Sequence, residues 1–325
     1  MISGFLLTRQ WRDTPSGIQI DLWFASESGP IWVQVKGQES VMFLPREEVD
    51  RASALIDAKS NWRQSPVELK TFRNQAVNAF YFRSRRRALD FLLQLEAVGI
   101  PCWESDIKPP ERYLMERYIT AGCDLHIDER ANYTQSQQAV INPRLSAAEY
   151  RPTLKSVSID IETSMDAETL YSIAIWAEGF ARVFMVAETL PAESGHLDVD
   201  VVYCRNARAC LMQFLICIDE LDPDVLIGWN LVGFDLWVLS QLCRQYQLDF
   251  TIGRAKQVPH WREEESGNRR FISIAGRVAL DGIELLKAAN YRFDSFSLES
   301  VARQLLGQGK LLAGSHRGDD ISLLF

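Results

Sequence analysis

The run Val157-Ser158-Ile159-Asp160-Ile161-Glu162-Thr163 constrains this chain more than any other feature. Its apolar and polar residues alternate, and alternate side chains of a β-strand share a face. Val157, Ile159 and Ile161 are predicted to point into a core, with Asp160 and Glu162 together on the opposite face. Two residues apart on a strand means Cα atoms about 6.5–7 Å apart, close enough for both carboxylates to converge on metal ions. An exposed strand face with two acids reads the same way, and so short a motif arises often by chance.

A second segment narrows the choice. Asp224-Val225-Leu226-Ile227-Gly228-Trp229-Asn230 reads as a buried strand, followed by Leu231-Val232-Gly233-Phe234-Asp235. Asn230 is expected to bond backbone groups in the turn, and Gly233 to relax its conformation. Asp235 falls in the first turn of the next helix, where the positive end of the helix dipole favours a carboxylate. Alone, this is an ordinary capped helix start. About seventy residues after a D-x-E strand, it suggests that Asp160, Glu162 and Asp235 share one site. Three partly desolvated carboxylates repel one another strongly without a cation. Oxygen ligands with no Cys or His nearby suit Mg²⁺ or Mn²⁺, not zinc. Two such ions can activate water and stabilise the departing oxygen in phosphodiester hydrolysis.

The bulk of the sequence is compatible with that chemistry. The net charge of −8 is unusual for a nucleic-acid binder, but a groove can be locally basic and a metal site needs clustered acids. The six cysteines lack C-x-x-C spacing, which fits reduced thiols in a cytoplasmic protein better than a disulfide framework or a zinc site. No apolar run is long enough for a membrane span, and the N-terminal residues lack the pattern of a signal peptide.

Two regions are expected. The first, to about residue 150, is α+β: strands near 5–8, 18–22, 31–35 and 41–44, a helix near 47–58, strands near 66–72 and 77–82, and helices near 84–98 and 111–119. The second, residues 151–325, has strands at 157–163, 170–177 and 181–187, a helix at 206–220, a strand at 224–229 and a helix from about 234. A hairpin-like stretch at 271–285 and a helix at 297–306 follow. This order predicts a mixed sheet flanked by helices, the arrangement of an RNase H-like nuclease core.

Asp160-Ile161-Glu162-Thr163 resembles the first motif of DEDD-type 3′→5′ proofreading exonucleases, and Asn230-x-x-x-Phe234-Asp235 resembles the second. Gly228-Trp229-Asn230, Gly276-Arg277-Val278-Ala279-Leu280-Asp281 (similar to the exonuclease-domain hairpin) and Phe296-Ser297-Leu298-Glu299-Ser300-Val301-Ala302 resemble family B DNA polymerases in particular. Pro109-Pro110-Glu111-Arg112-Tyr113-Leu114-Met115-Glu116-Arg117-Tyr118-Ile119 is similar to the bacterial polymerase II branch of that family. The resemblance implies an N-terminal accessory domain followed by an RNase H-like exonuclease domain. It implies Asp160, Glu162 and Asp235 as metal ligands of a two-metal Mg²⁺ or Mn²⁺ site. Thr163, Asn230 and Phe234 would contact the terminal nucleotide, with Phe234 as a core residue left open. The implied substrate is the single-stranded 3′ end of primer-template DNA in a bacterial cytosol or nucleoid. A sliding clamp would be reached through a C-terminal part not in this sequence.

One family motif has no counterpart. None of the nine tyrosines is followed four residues later by Asp, so the Tyr-x-x-x-Asp third motif is absent. Nothing matches the polymerase active site either; Asp319-Asp320-Ile321-Ser322-Leu323-Leu324-Phe325 is a chance likeness. The expected reading is therefore an N-terminal polymerase portion, truncated before the third exonuclease motif and with feeble or no nuclease activity by itself. Two alternatives stay open: a free-standing DEDD exonuclease, and a naturally shortened DNA-binding or regulatory protein without catalysis. The cluster Arg83-Ser84-Arg85-Arg86-Arg87 reads equally as a phosphate-binding patch or a solvated face.

Overall fold

The structure, a computed structural model, describes residues 1–57, 61–127, 138–187, 199–264 and 269–309. The chain divides into two units, Met1–Pro152 and Thr153–Phe325.

In the first unit, β1 (Ile2–Thr14), β2 (Gly17–Ser26) and β3 (Gly29–Gln38) form an antiparallel meander, followed by β4 (Ser40–Pro45) and the short α1 (Val49–Ser53). Next come β5 (Trp62–Lys70), β6 (Ala76–Phe82), α2 (Arg85–Ala97), α3 (Pro109–Met115), β7 (Gly122–His126), β8 (Val140–Ile141) and β9 (Arg144–Ala147). Two sheets result, ordered β8-β3-β2-β1-β7-β9 and β4-β6-β5. Alternation builds the first sheet: Ile18, Ile20, Leu22 and Phe24 enter one core. A separate core gathers Met42, Leu44, Phe80 and Phe82 under Phe91 and Leu95 of α2.

Several elements differ from the sequence expectation. The helix expected at 47–58 is one turn of α1 after a 3₁₀ turn, and its expected last residue, 58, lies outside the described residues. The helix expected at 111–119 ends at Met115, because Tyr118 takes a left-handed φ of 56° that α-helix cannot continue through. The expected 66–72 strand starts earlier, at Trp62, pairing with Phe82.

The second unit carries β10 (Ser156–Thr163), β11 (Leu170–Ala177), β12 (Phe180–Val186), β13 (Asp200–Cys204), α4 (Ala207–Leu221), β14 (Val225–Gly228) and α5 (Asp235–Gln245). It continues through β15 (His260–Glu263), β16 (Arg270–Ser273), β17 (Val278–Asp281), α6 (Gly282–Ala288) and α7 (Leu298–Leu306). Its six-stranded sheet is mixed, as expected: β13-β12-β11-β10-β14-β17, antiparallel from β10 to β12 and parallel elsewhere. Helix α4 forms because Asn206 accepts from the Ala209 N–H, while Leu211, Phe214 and Ile218 share a buried face. Strand β13 is an addition to the expected order. The expected 271–285 hairpin is reduced to a single antiparallel bridge, Ile274 with Arg277. Strand β16 pairs with β15, whereas β17 joins the main sheet beside β14 and gives way to α6, whose N-terminus Asp281 caps.

Below the site, the entry to β14 is fixed by buried charge. Arg254 binds Asp222 (2.8 Å) and Asp224 (2.9 Å), and Arg277 binds Asp222 (2.9 Å) while donating to the carbonyls of Pro223, Ile252 and Ile218. Asp224 also accepts from the Lys155 N–H at 3.0 Å, which ties the start of β14 to the start of β10. No helix among the described residues is long and apolar enough to cross a membrane.

Candidate functional site

Strand β10 behaves as its alternation requires. Val157, Ile159 and Ile161 are 3, 1 and 5 % exposed, while Asp160 is exposed and Glu162 half-buried on the other face. Neighbouring β14 runs parallel to it, so the chain leaves β14 at the end of β10 that carries the two acids. Asp235 is then the first residue of α5 and only 2 % exposed. Its Oδ1 accepts from the Ile161 N–H at 3.1 Å. The third acid is thereby anchored to the peptide between the other two.

Burial, then the charge of Asp160 and more weakly that of Asp281, push the Asp235 carboxyl up to about 7. The two hydrogen bonds from backbone amides work in the opposite direction and are outweighed. A nearby cation would restore its charged form, and the donor set is all oxygen, so these residues fit a hard divalent ion. The expected three-carboxylate cluster is nevertheless not gathered: among the described residues no three His, Cys, Asp or Glu could hold a metal ion together. Asp160 and Asp235 are in electrostatic contact; the like charges repel, and the Ile161 N–H claims one Asp235 oxygen.

The turn before Asp235 departs from the expected chemistry in an instructive way. Asn230 itself takes the left-handed conformation, φ 58°, and its main-chain carbonyl, not its side chain, accepts from the Phe234 N–H at 2.8 Å. Gly233 takes no left-handed φ, so the conformational need expected of it is not seen; a Cβ there would lie 2.5 Å from Oδ1 at the end of the exposed Asn230 side chain, which can swing aside. Phe234 is 37 % exposed, which excludes the core reading for it. The Thr163 hydroxyl donates to the Ser164 carbonyl at 3.0 Å.

Two residues that sequence reasoning missed hold this turn. Asp281 accepts from the Val232 N–H at 3.0 Å, and its other oxygen accepts from the Ile283 N–H at 3.0 Å. Arg270 donates to the Gly233 carbonyl at 3.1 Å and lies over the Trp237 ring, 4.3 Å from its centroid. Trp229 adds a third tether through its Nε1–H to the Phe296 carbonyl at 3.1 Å. Gly228 admits β14 against β10, since a Cβ there would sit 2.8 Å from the Ile159 carbonyl oxygen. Gly228→Ala is expected to separate the strands and cost about 1–3 kcal/mol, read as a lower thermal midpoint. An unchanged midpoint would contradict that close approach.

With this geometry in view, the comparisons with known proteins are decisive. A family model described as "DNA polymerase family B, exonuclease domain" matches residues 100–301, which include every residue of the site above. The chain belongs to DNA polymerase family B. Models of the DNA polymerase II N-terminal region and insertion domain match residues 4–39 and 40–100 of this family B chain. It is 39 % identical over 310 residues to DNA polymerase II of Escherichia coli, covering 95 % of this chain and 39 % of that protein. It is 30 % identical over 112 residues to the DNA polymerase of Thermococcus kodakarensis, covering 34 % of this chain and 6 % of that one. Its fold matches the solved family B DNA polymerase of Pyrobaculum calidifontis with a TM-score of 0.74 at 15 % identity, over 97 % of this chain and 41 % of that one. This family B chain thus spans about two-fifths of the length of its E. coli relative. The exonuclease domain of family B is a metal-dependent nuclease.

Proposed function

We propose that the second unit is a 3′→5′ exonuclease that removes terminal deoxynucleotides from single-stranded 3′ ends of DNA, in a bacterial cytosolic polymerase of the polymerase II type. The observation that carries this reading is the buried Asp235 anchored on the Ile161 N–H between Asp160 and Glu162. Asp160, Glu162 and Asp235 would hold Mg²⁺ or Mn²⁺. When bound, two such ions supply an activated water and charge stabilisation for the leaving oxygen.

The remaining roles fall to the surrounding side chains. Exposed Phe234, next to Asp235, offers an apolar ring to the base or sugar of the terminal nucleotide. Asn230 is exposed on the same turn with its amide available to a phosphate or sugar. Thr163 ends β10 one residue after Glu162 and keeps acceptor capacity for a substrate hydroxyl. Asp281 and Arg270 fix the turn through its backbone.

This sequence supplies three of the four carboxylates of the DEDD class and lacks the Tyr that orients the attacking water. Removing one such transition-state interaction costs about 10²–10³ in rate. The 325-residue chain is therefore expected to shorten 5′-labelled single-stranded DNA from its 3′ end with Mn²⁺ well below roughly 1 s⁻¹. Asp160→Ala should abolish that trace. Shortening at about 1 s⁻¹ or faster would overturn the importance given to the missing pair. Shortening that survives Asp160→Ala would overturn the site itself.

A further inference from the structure

The face of the main sheet that bears the two acids of β10 also bears an aromatic side chain that the site described above leaves unused. Residues directly opposite one another in a sheet share a face. Across from β10, Ser172 stands opposite Glu162, Ala174 opposite Asp160 and Trp176 opposite Ser158. Ile173 and Ile175 of β11 point the other way, into the core, as alternation requires. Trp176 is therefore on the face of the acids and is the diagonal neighbour of Asp160, a separation of about 7–8 Å that an aromatic side chain can bridge.

The indole stands clear of its surroundings. It is 59 % exposed although β11 is paired on both sides. Its cross-strand partners, Ser158 on β10 and Ala181 on β12, are both small. Ala174, the next residue of β11 on the same face, is small as well, so the floor between the indole and Asp160 is low. Among the described residues no ring stacks on Trp176, no cation lies over it and its Nε1–H has no acceptor. A single exposed apolar residue is ordinary on a protein surface. A flat, unpartnered ring beside an acid of the candidate metal site, rising from a strip of small residues, is a narrower arrangement.

The position of Phe234 decides which nucleotide Trp176 meets. Strand β10 lies between β11 and β14 in the sheet. Phe234 is on the turn that leaves β14 and Trp176 is on β11, so two exposed rings flank the acids of β10 from opposite sides. A strand with its last phosphodiester over the acids and its 3′-terminal nucleotide toward Phe234 carries the preceding nucleotide across β11. We propose that Trp176 is a stacking platform for the penultimate base of single-stranded DNA, an assignment that rests on the exonuclease reading given under Proposed function. Every base has a π-face, so such a platform tolerates any sequence. It is closed to a base still stacked and paired within a duplex, and Trp176 thereby selects ends that are unpaired for at least two nucleotides.

The test is fluorescence anisotropy of a short oligodeoxythymidylate, labelled at its 5′ end, with the full chain and Mn²⁺. A phosphorothioate in the last linkage protects the 3′ end from cleavage. Trp176→Ala should weaken binding about tenfold, the size expected for the loss of one base–aromatic stack. Trp176→Phe keeps a ring and should recover most of that loss. A second strand, abasic at the penultimate position alone, identifies the base. With it, wild type and Trp176→Ala should differ by less than about twofold, because a coupling vanishes once either partner is gone. A strand abasic at the 3′-terminal position should keep the full effect of the variant. Equal affinity of wild type and Trp176→Ala for the intact strand would overturn the proposal, and so would an effect that the penultimate abasic site leaves undiminished. A parallel calorimetric titration of Mn²⁺ separates this question from the exonuclease reading. Mn²⁺ binding by wild type with no Trp176 effect would overturn the platform alone. A Trp176 effect confined to the penultimate base, without Mn²⁺ binding by wild type, would overturn the metal site alone. Trp176→Ala should bind Mn²⁺ as wild type does; loss of that binding would make Trp176 a support of the metal site and overturn its role as a platform.

Discussion

Replacing Asp235 by Asn is expected to stabilise the metal-free protein at neutral and higher pH, against the usual direction for a substitution at a buried site. Asp235 is 2 % exposed, and its carboxyl is pushed up to about 7 by burial and by Asp160. An acid whose folded pKa lies above its unfolded value near 3.8 contributes no penalty below the unfolded value. The penalty grows as pH rises toward 7, and stability falls across that window and levels off above it. A shift of about three units corresponds to roughly 4 kcal/mol as an upper figure. The amide of Asn keeps an oxygen for the Ile161 N–H, so the hydrogen bond survives while the charge goes. In a unit of this size the gain is on the order of 10 °C in thermal midpoint above about pH 7, vanishing near pH 4. Thermal melts of both proteins in EDTA across that range check it. A variant less stable than wild type at every pH would contradict the assignment of Asp235 as a destabilised anion.

The second large effect lies below the site. Arg277 is 3 % exposed and donates to three backbone carbonyls besides pairing with Asp222. Asp222 ends α4 in a left-handed conformation, φ 42°, and Arg254 grips both its carboxylate and its carbonyl. The two guanidiniums thus hold the α4 terminus, the start of β14 and the turn at Gly276 in one lattice. Burial lowers the Arg277 pKa while Asp222 raises it, as expected of a buried cation that keeps its charge by pairing. Arg277→Met leaves Asp222 with one partner fewer and strands buried carbonyls, which is expected to cost about 3–5 kcal/mol and lower the midpoint by roughly 10 °C. Arg277→Lys should fare little better, since one ammonium cannot span the fork geometry. A Lys variant within about 1 kcal/mol of wild type in chemical denaturation would show that charge alone, not the fork, is what the site needs.

The features legible in the sequence are those whose signal is local. Alternation in 157–163 announced β10 and which face its acids occupy, and Asn206 followed by Leu211, Phe214 and Ile218 announced α4. Strand β13 went unread because it is a five-residue edge strand pairing in parallel with β12 alone, which leaves no clear alternation. The 271–285 segment misled because β16 and β17 are neighbours in sequence but find partners in different sheets.

At the site, carboxylates at fixed spacing could be read, whereas their supports could not. Arg270 and Asp281 act on the Gly233 carbonyl and the Val232 amide, 37 and 49 residues away. Every residue type offers such backbone groups, so no sequence pattern marks them. Gly233 reads in the sequence as a conformational need, yet it takes no left-handed φ, and what stands beside it is the end of the Asn230 side chain. The split within the Arg83–Arg87 cluster emerges only in three dimensions, where burial alone separates Arg85 from its neighbours.

A cation site on the acids of β10 and α5 is tested most directly by calorimetric titration of Mn²⁺ into the wild-type chain, Asp160→Ala and Asp235→Asn. The pH should be about 7.5, above the Asp235 titration. Saturable binding by wild type, weakened at least tenfold in both variants, is the expected result. Wild-type binding that persists unchanged in either variant, or no specific binding at all, would contradict a cation site built from Asp160, Glu162 and Asp235.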